Sequence, residues 1–156
     1  MPGPNATLLL SPVGLAMLKG FEALRLKAYQ DVRGVWTIGY GHTGPEVTAG
    51  LVWTQEQALQ ALQEDVSWAV NTVAKAVTVP LLQFQFDPLV TFTFNVGGAA
   101  FEGSTLLHLL NAGDFVGASK QFGHWVYAGT MLSSGLVNRR RTEAAMFNGP
   151  STGVAA

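Results

Sequence analysis

Within 24 positions the stretch FEALRLKAYQDVRGVWTIGYGHTG places Glu22, Asp31 and Thr37 among glycines and aromatics. Two carboxylic acids and a hydroxyl at such short range form a set suited to hydrolysis, and to glycoside cleavage in particular. That reaction needs one carboxyl group that stays protonated near neutral pH to donate to the leaving oxygen. It needs a second that is ionised, to support a cation-like transition state or activate water. Their surroundings push the two groups in those directions. Glu22 follows Phe21 and adjoins an apolar segment, which disfavours its charged form, whereas Asp31 sits in a polar, glycine-bearing turn where water can solvate it. The same residues also fit a structural role, with Glu22 an exposed helix-end carboxylate and Asp31 an ordinary turn former. Composition and spacing alone do not choose between these readings.

The elements that must position this set can be read along the chain. Ser11-Pro12 predicts an N-cap with proline at the first helical position, opening a helix that Gly20 closes just before Glu22. From Tyr29 to His42, Gly34, Gly39 and Gly41 punctuate an alternating VWTIGY, the pattern of a small β-hairpin. After the loop GPEVTAG, Thr54-Gln55-Glu56-Gln57 is a capping box that starts a long helix. Ala58, Leu62, Val66, Ala69, Val70, Val73 and Val77 recur at steps of three and four until Pro80 stops it, with Glu56, Glu64 and Asp65 facing water. Further helix starts are expected at Asp87-Pro88, where a helix either begins or bends, and at Ser104 and Asp114. A last helix is expected over Leu136–Asn148, ended by Gly149-Pro150, with STGVAA as a loose tail.

A chain of 156 residues with 48% hydrophobic and 12% charged residues folds as one domain and is not disordered. With no Cys there is no disulfide or thiolate chemistry, and a net charge of -1 gives no general attraction for nucleic acid. Arg25, Lys27, Arg33 and the run Arg139-Arg140-Arg141 are local positive clusters within it. His42, His108 and His124 are scattered, without HExxH spacing, so a metal site is not expected. His42 reads instead as a hydrogen-bonding or ion-pairing group that fixes the hairpin. EGSTL is not a GxSxG motif, and NVGGAA lacks the residues of a phosphate loop. Trp36, beside Thr37, is the tryptophan best placed to meet a sugar, while Trp53, Trp68 and Trp125 read as core. Asn5-Ala6-Thr7 matches the glycosylation pattern. The apolar start is short, broken by Ser11, Pro12 and Gly14, and has no preceding Lys or Arg, so neither a membrane span nor a secretory signal is expected.

The full string, with VTVPLLQFQFDPLVTFTFNVG, STLLHLLNAGDF, HW with AG, and GLVNRRRTE, resembles the phage-type lysozymes of glycoside hydrolase family 24, especially the endolysins of lambdoid-like phages. The likeness covers roughly residues 11–148 and centres on Glu-x8-Asp-x5-Thr, here Glu22, Asp31 and Thr37. It implies an α+β, mainly helical fold in a single lysozyme domain. A hairpin lobe over about residues 11–53 and a helical lobe over 80–148 are joined by a linking helix over 54–79, and 149–156 form the tail. It implies a muramidase that cuts the β-1,4 bond between N-acetylmuramic acid and N-acetylglucosamine in peptidoglycan for host lysis, with Glu22 as general acid, Asp31 as second carboxylate and Thr37 placing the water. Thr43, Phe94 and Ser104 fall where the family lines its sugar site, although Phe94 reads equally as core and Ser104 as a helix cap. Arg139 matches the arginine that supports the catalytic glutamate. No cofactor or metal is implied. The implied partners are glycan strands, with no nucleic acid and no membrane insertion, for a monomer that waits in the host cytoplasm until a holin opens the membrane. Against the family pattern, the chain is near-neutral where many relatives are basic, Pro88 interrupts a helical segment, and His124 stands where a basic residue is common. Two other readings stay open: a wall-binding or membrane-disrupting protein acting through Arg139–Arg141, and a lytic transglycosylase.

Overall fold

A computed structural model describes residues 1–150. The chain forms two compact units, one made of Met1–Gly14 with the chain from Ala69 onward, the other of Leu15–Trp68. Two helices, α1 (Pro12–Phe21) and α2 (Gln55–Ala76), begin in one unit and end in the other, so the division falls inside helices and not at their ends.

In the unit Leu15–Trp68, an antiparallel sheet of β1 (Arg25–Gln30), β2 (Trp36–Gly39) and β3 (His42–Thr43) is ordered β1-β2-β3. The hairpin expected from Tyr29 onward thus starts earlier and gains a third strand. Its register pairs Tyr29 with Thr37 and Thr37 with Thr43, with a bulge between Arg25 and Tyr29. Ala28, Ile38 and Val47 form the small core, covered by Trp36, Leu51 and Trp53. Gly39 is required here, because its backbone is left-handed (φ 68°) and a Cβ would sit 3.1 Å from the Trp53 ring. Thr54 caps α2 as expected: Gln57 N–H donates to Thr54 Oγ1 (3.1 Å) and Thr54 N–H to Gln57 Oε1 (2.8 Å). All seven residues of the predicted apolar stripe are buried. Asp65 departs from its expected solvent face, since it is half-buried and bound to His42.

In the other unit, Ser11 caps α1 as expected, its Oγ accepting from Gly14 N–H (3.1 Å). Its own hydroxyl donates to Asp87 Oδ2, and its N–H donates to Asp87 Oδ1 (3.1 Å). The helix continues through Gly20 to Phe21, so Gly20 does not end it. Nor does Asp87-Pro88 start a helix. The third helix, α3 (Gln83–Val96), begins where Leu82 N–H donates to Gln85 Oε1 (2.9 Å), and it carries Pro88 inside. Asp87 is withdrawn from capping by Ser11 and by Gln83 Nε2, which donates to Oδ1 at 2.8 Å. Asn5 is fully buried, its Nδ2 donating to the carbonyls of Val77 (3.1 Å) and Val79 (2.9 Å) and its Oδ1 accepting from Leu81 N–H (2.9 Å). That amide is therefore unavailable to a glycan.

The helices that follow are α4 (Gly98–Glu102), α5 (Thr105–Asn111), α6 (Phe115–Gln121), a 3-10 turn Phe122–His124 and α7 (Ser134–Phe147), with a two-stranded ribbon β4 (Tyr127–Ala128) and β5 (Met131–Leu132) before α7. Ser104 and Asp114 cap α5 and α6, the starts read from the sequence. Phe92 is the hub of the core, meeting Phe101, Phe122 and Trp125 edge-on at centroid distances of 6.3, 5.3 and 5.6 Å. After α7, Gly149 adopts the left-handed backbone (φ 86°) that ends helices. The tail call on STGVAA lies outside the described residues. No described helix is long and apolar enough to cross a membrane.

Candidate active site

The turn after β1 builds the first part of the site. Asp31 Oδ1 accepts from the N–H groups of Arg33 (2.8 Å) and Val35 (2.9 Å), while Asp31 N–H donates to Val35 O (2.9 Å). This Asx-type turn, with Gly34 at φ 80°, fixes the carboxylate by backbone alone. Both donors use Oδ1, and among the described residues Oδ2 accepts no hydrogen bond. The carboxyl is held below its ordinary range chiefly by the Val35 N–H. That donor prevails over partial desolvation, with the N–H and charge of Arg33 adding to it. Asp31 is therefore ionised at neutral pH, as its glycine-bearing turn suggested.

Thr37 lies on β2 and is buried, its Oγ1 donating to the same Val35 carbonyl at 3.0 Å. The backbone of one residue thus grips both Asp31 and Thr37. With its proton committed to Val35, the Thr37 hydroxyl meets any other partner as an acceptor.

Glu22 is half-buried at the end of α1, where its N–H donates to Leu18 O (3.1 Å). A Cβ built on Gly41 would come 3.8 Å from Glu22 Oε2, so the β2–β3 turn approaches this carboxyl closely. Gly41 is left-handed (φ 83°), which favours glycine at that point.

The next residue, His42, is clamped on both ring nitrogens, Nδ1 to Asp65 Oδ2 (2.7 Å) and Nε2 to Glu46 Oε1 (2.6 Å). Burial works against its charged form, but the two carboxylates outweigh burial and raise its pKa. Its two partners are thus Asp65, which the sequence placed facing water, and Glu46, to which it gave no role. Its ring also lies 5.3 Å from Trp53. Thr43 is exposed on β3 opposite Thr37. Trp36 packs on the Ala28–Ile38–Val47 core.

Phe94, Ser104 and Arg139 belong to the other unit. Phe94 is half-buried on α3. Ser104 is buried, its Oγ donating to Phe101 O (2.7 Å) and accepting from Leu107 N–H (3.1 Å), so its hydroxyl proton is already used. Arg139 is buried, and its Nη2 donates to Thr91 O (2.8 Å). Beside it, Arg140 Nε pairs with Glu143 Oε1 at 2.7 Å, the guanidinium lies over Phe92, and Thr91 Oγ1 donates to Glu143 Oε2 (2.7 Å). Burial pushes the Glu143 carboxyl up, against the pull of Arg140. The i, i+3 spacing of Arg140 and Glu143 was the signal for this pair, and sequence reading gave it no role. Among the described residues there is no cluster of three or more His, Asp or Glu suited to a metal ion.

The site thus has a backbone-held, ionised Asp31 and a buried Thr37 on neighbouring strand and turn, with Glu22 at the end of α1. The phage lysozyme family model matches residues 19–143. The chain belongs to the phage lysozyme family. An endolysin of Bacillus phage PZA is 45% identical to this chain over 141 residues, 89% of this chain and 55% of that protein, so the chain spans about half the length of that relative. The solved endolysin from Escherichia coli O157:H7 phage FAHEc1 matches with a TM-score of 0.86 at 40% identity, over 94% of this chain and 96% of that one. The muramidase domain of SpmX from Asticaccaulis excentricus matches with a TM-score of 0.84 at 36% identity, over 91% and 99%.

Proposed function

We propose that this protein cleaves the β-1,4 bond between N-acetylmuramic acid and N-acetylglucosamine, with Glu22 as general acid, Asp31 as the ionised carboxylate and Thr37 as the acceptor that places water. The carrying observation is the shared grip of Val35 on Asp31 and Thr37. A water seated between them donates one hydrogen to Thr37 Oγ1 and the other to Asp31 Oδ2, which turns its lone pair toward the anomeric carbon. As the bond breaks, the Glu22 proton passes to the leaving oxygen, and the water gives up the proton it shared with Asp31 Oδ2 as its oxygen bonds to the anomeric carbon. His42 and Arg139 act in support, and Thr43 and Phe94 are assigned to sugar contacts. A contact by Ser104 has only a lone pair left to offer. The endolysin relatives support a place in host lysis, and the proposal extends to a monomer released from the host cytoplasm through a holin. Arg139 and Arg140 are buried, which leaves Arg141 as the only exposed cation of its run and weakens a membrane-disrupting reading.

The test is digestion of purified peptidoglycan by wild type and Glu22→Gln, with released sugars identified by mass spectrometry. Reducing muramic-acid ends from wild type, lost by roughly 10²–10⁴-fold in a folded variant, are the expected result. Anhydro ends would make the enzyme a transglycosylase, and undiminished release by the variant would end the two-carboxylate mechanism.

A further inference from the structure

Charges in the unit Leu15–Trp68 are sorted along the chain. Its four cations, Lys19, Arg25, Lys27 and Arg33, all precede Gly34 and share that stretch with Glu22 and Asp31 alone. From Gly44 to Trp68 the charges are Glu46, Glu56, Glu64 and Asp65, with no Lys or Arg among them.

The fold sets three of these cations on one strand and the turn after it. Arg25 and Lys27 are exposed on β1, while Leu26 and Ala28 turn inward. Two residues apart on a strand, the two cations stand roughly 7 Å from each other. The Arg25 guanidinium lies 4.4 Å over the Tyr29 ring, and Tyr29 is the register partner of Thr37. Arg33 follows Asp31 in the turn and bonds it through its N–H. The cations therefore run along the strand and turn that carry Thr37's partner and Asp31. Among the described residues neither Arg25 nor Lys27 is ion-paired, whereas Glu46 and Asp65 are committed to His42.

We propose that Arg25 and Lys27, continued by Arg33, form a carboxylate-binding row for the stem peptides of peptidoglycan while its glycan strand lies at Asp31 and Thr37. This deepens the muramidase reading and rests on it. A chain with a net charge of -1 has no overall pull toward an anionic polymer. Capture then depends on a local field, and the sorting supplies one that attracts at β1 and repels at α2. Stacking on Tyr29 pre-orients the Arg25 fork, which matches a carboxylate with two parallel N–H donors. Lys27 adds a mobile point charge, suited to a polymer whose peptides vary in position.

The test compares wild type, Arg25→Gln/Lys27→Gln and Glu56→Gln/Glu64→Gln on solubilised peptidoglycan strands and on the same strands with their stem-peptide carboxylates converted to methylamides. At low salt the cation variant should raise KM on native strands roughly fivefold with kcat retained, and added salt should shrink the difference. Wild type itself should lose that advantage on methylamidated strands, and the acid variant should not raise KM on either substrate. A cation variant whose KM matches wild type on native strands, or rises equally on both substrates, overturns the row. Glu22→Gln in the same assay separates the two ideas: if it still releases sugars the muramidase reading fails, whatever the cations do.

Discussion

The buried amide of Asn5 offers the sharpest test of how the unit holding both chain ends is held together. Its side chain answers three main-chain groups of the α2–α3 connector, the carbonyls of Val77 and Val79 and the N–H of Leu81, in a stretch without helix or strand to satisfy them. In Asn5→Ala, the Val77 carbonyl and the Leu81 N–H lose their partner in buried surroundings. Each such loss costs about 1–3 kcal/mol, while the part-buried Val79 carbonyl recovers water at little cost. The sum is about 2–6 kcal/mol, a large share of the ~5–15 kcal/mol of a typical domain. For a chain of this length it lowers Tm by about 10 °C. Asn5→Asp separates hydrogen bonding from volume. It keeps the acceptor for Leu81 but aims a carboxylate at two carbonyl oxygens, so it should melt below Asn5→Ala. Calorimetry with urea unfolding gives both numbers, and amide exchange at Leu81 should quicken in each variant. An alanine variant melting within about 2 °C of wild type, or an aspartate variant more stable than it, would refute this accounting.

Three further outcomes are expected. Gly14→Ala, normally a gain of up to about 1 kcal/mol in a helix, should instead destabilise by about 1–3 kcal/mol in urea unfolding, because its Cβ would fall 2.6 Å from Asp87 Cγ. His42→Asn should remove a stabilisation that is full below the ordinary histidine value of 6.5 and fades as pH rises through the raised value in the fold. The wild-type advantage in Tm should thus shrink toward alkaline pH, and an advantage that grows there contradicts the clamp. Glu143→Gln leaves Arg140 as a buried cation without its counter-charge, and chemical denaturation should show a loss of about 3–5 kcal/mol.

What could be read from the sequence was what neighbours along the chain decide. The α2 stripe, the Thr54–Gln57 box and the caps Ser11, Ser104 and Asp114 depend on residues within a few positions of each other, and all are present. Where a distant group intervenes, local reading went astray. Asp87 looked like a helix start because its true partner, Ser11, lies 76 positions away. Asp65 looked solvent-facing because His42 is on a strand 23 residues earlier. β3 and the β4–β5 ribbon are two-residue strands, too short to show alternation. In the site, residue types and spacing raised Glu22, Asp31 and Thr37 as one possibility, and the long motif tied them to a family. The part played by Val35 was invisible, since it acts through main-chain atoms that every residue but proline possesses.

That last point sets the evolutionary latitude of the turn. Because Val35 holds Asp31 and Thr37 with its N–H and carbonyl, the identity of its partly exposed side chain is free to drift, as is that of the fully exposed Val32. Selection acts there on backbone shape, enforced by Gly34, and proline is the one letter barred at position 35. A laboratory library over positions 32 and 35 could therefore explore new contacts beside Asp31 without disturbing how it is held.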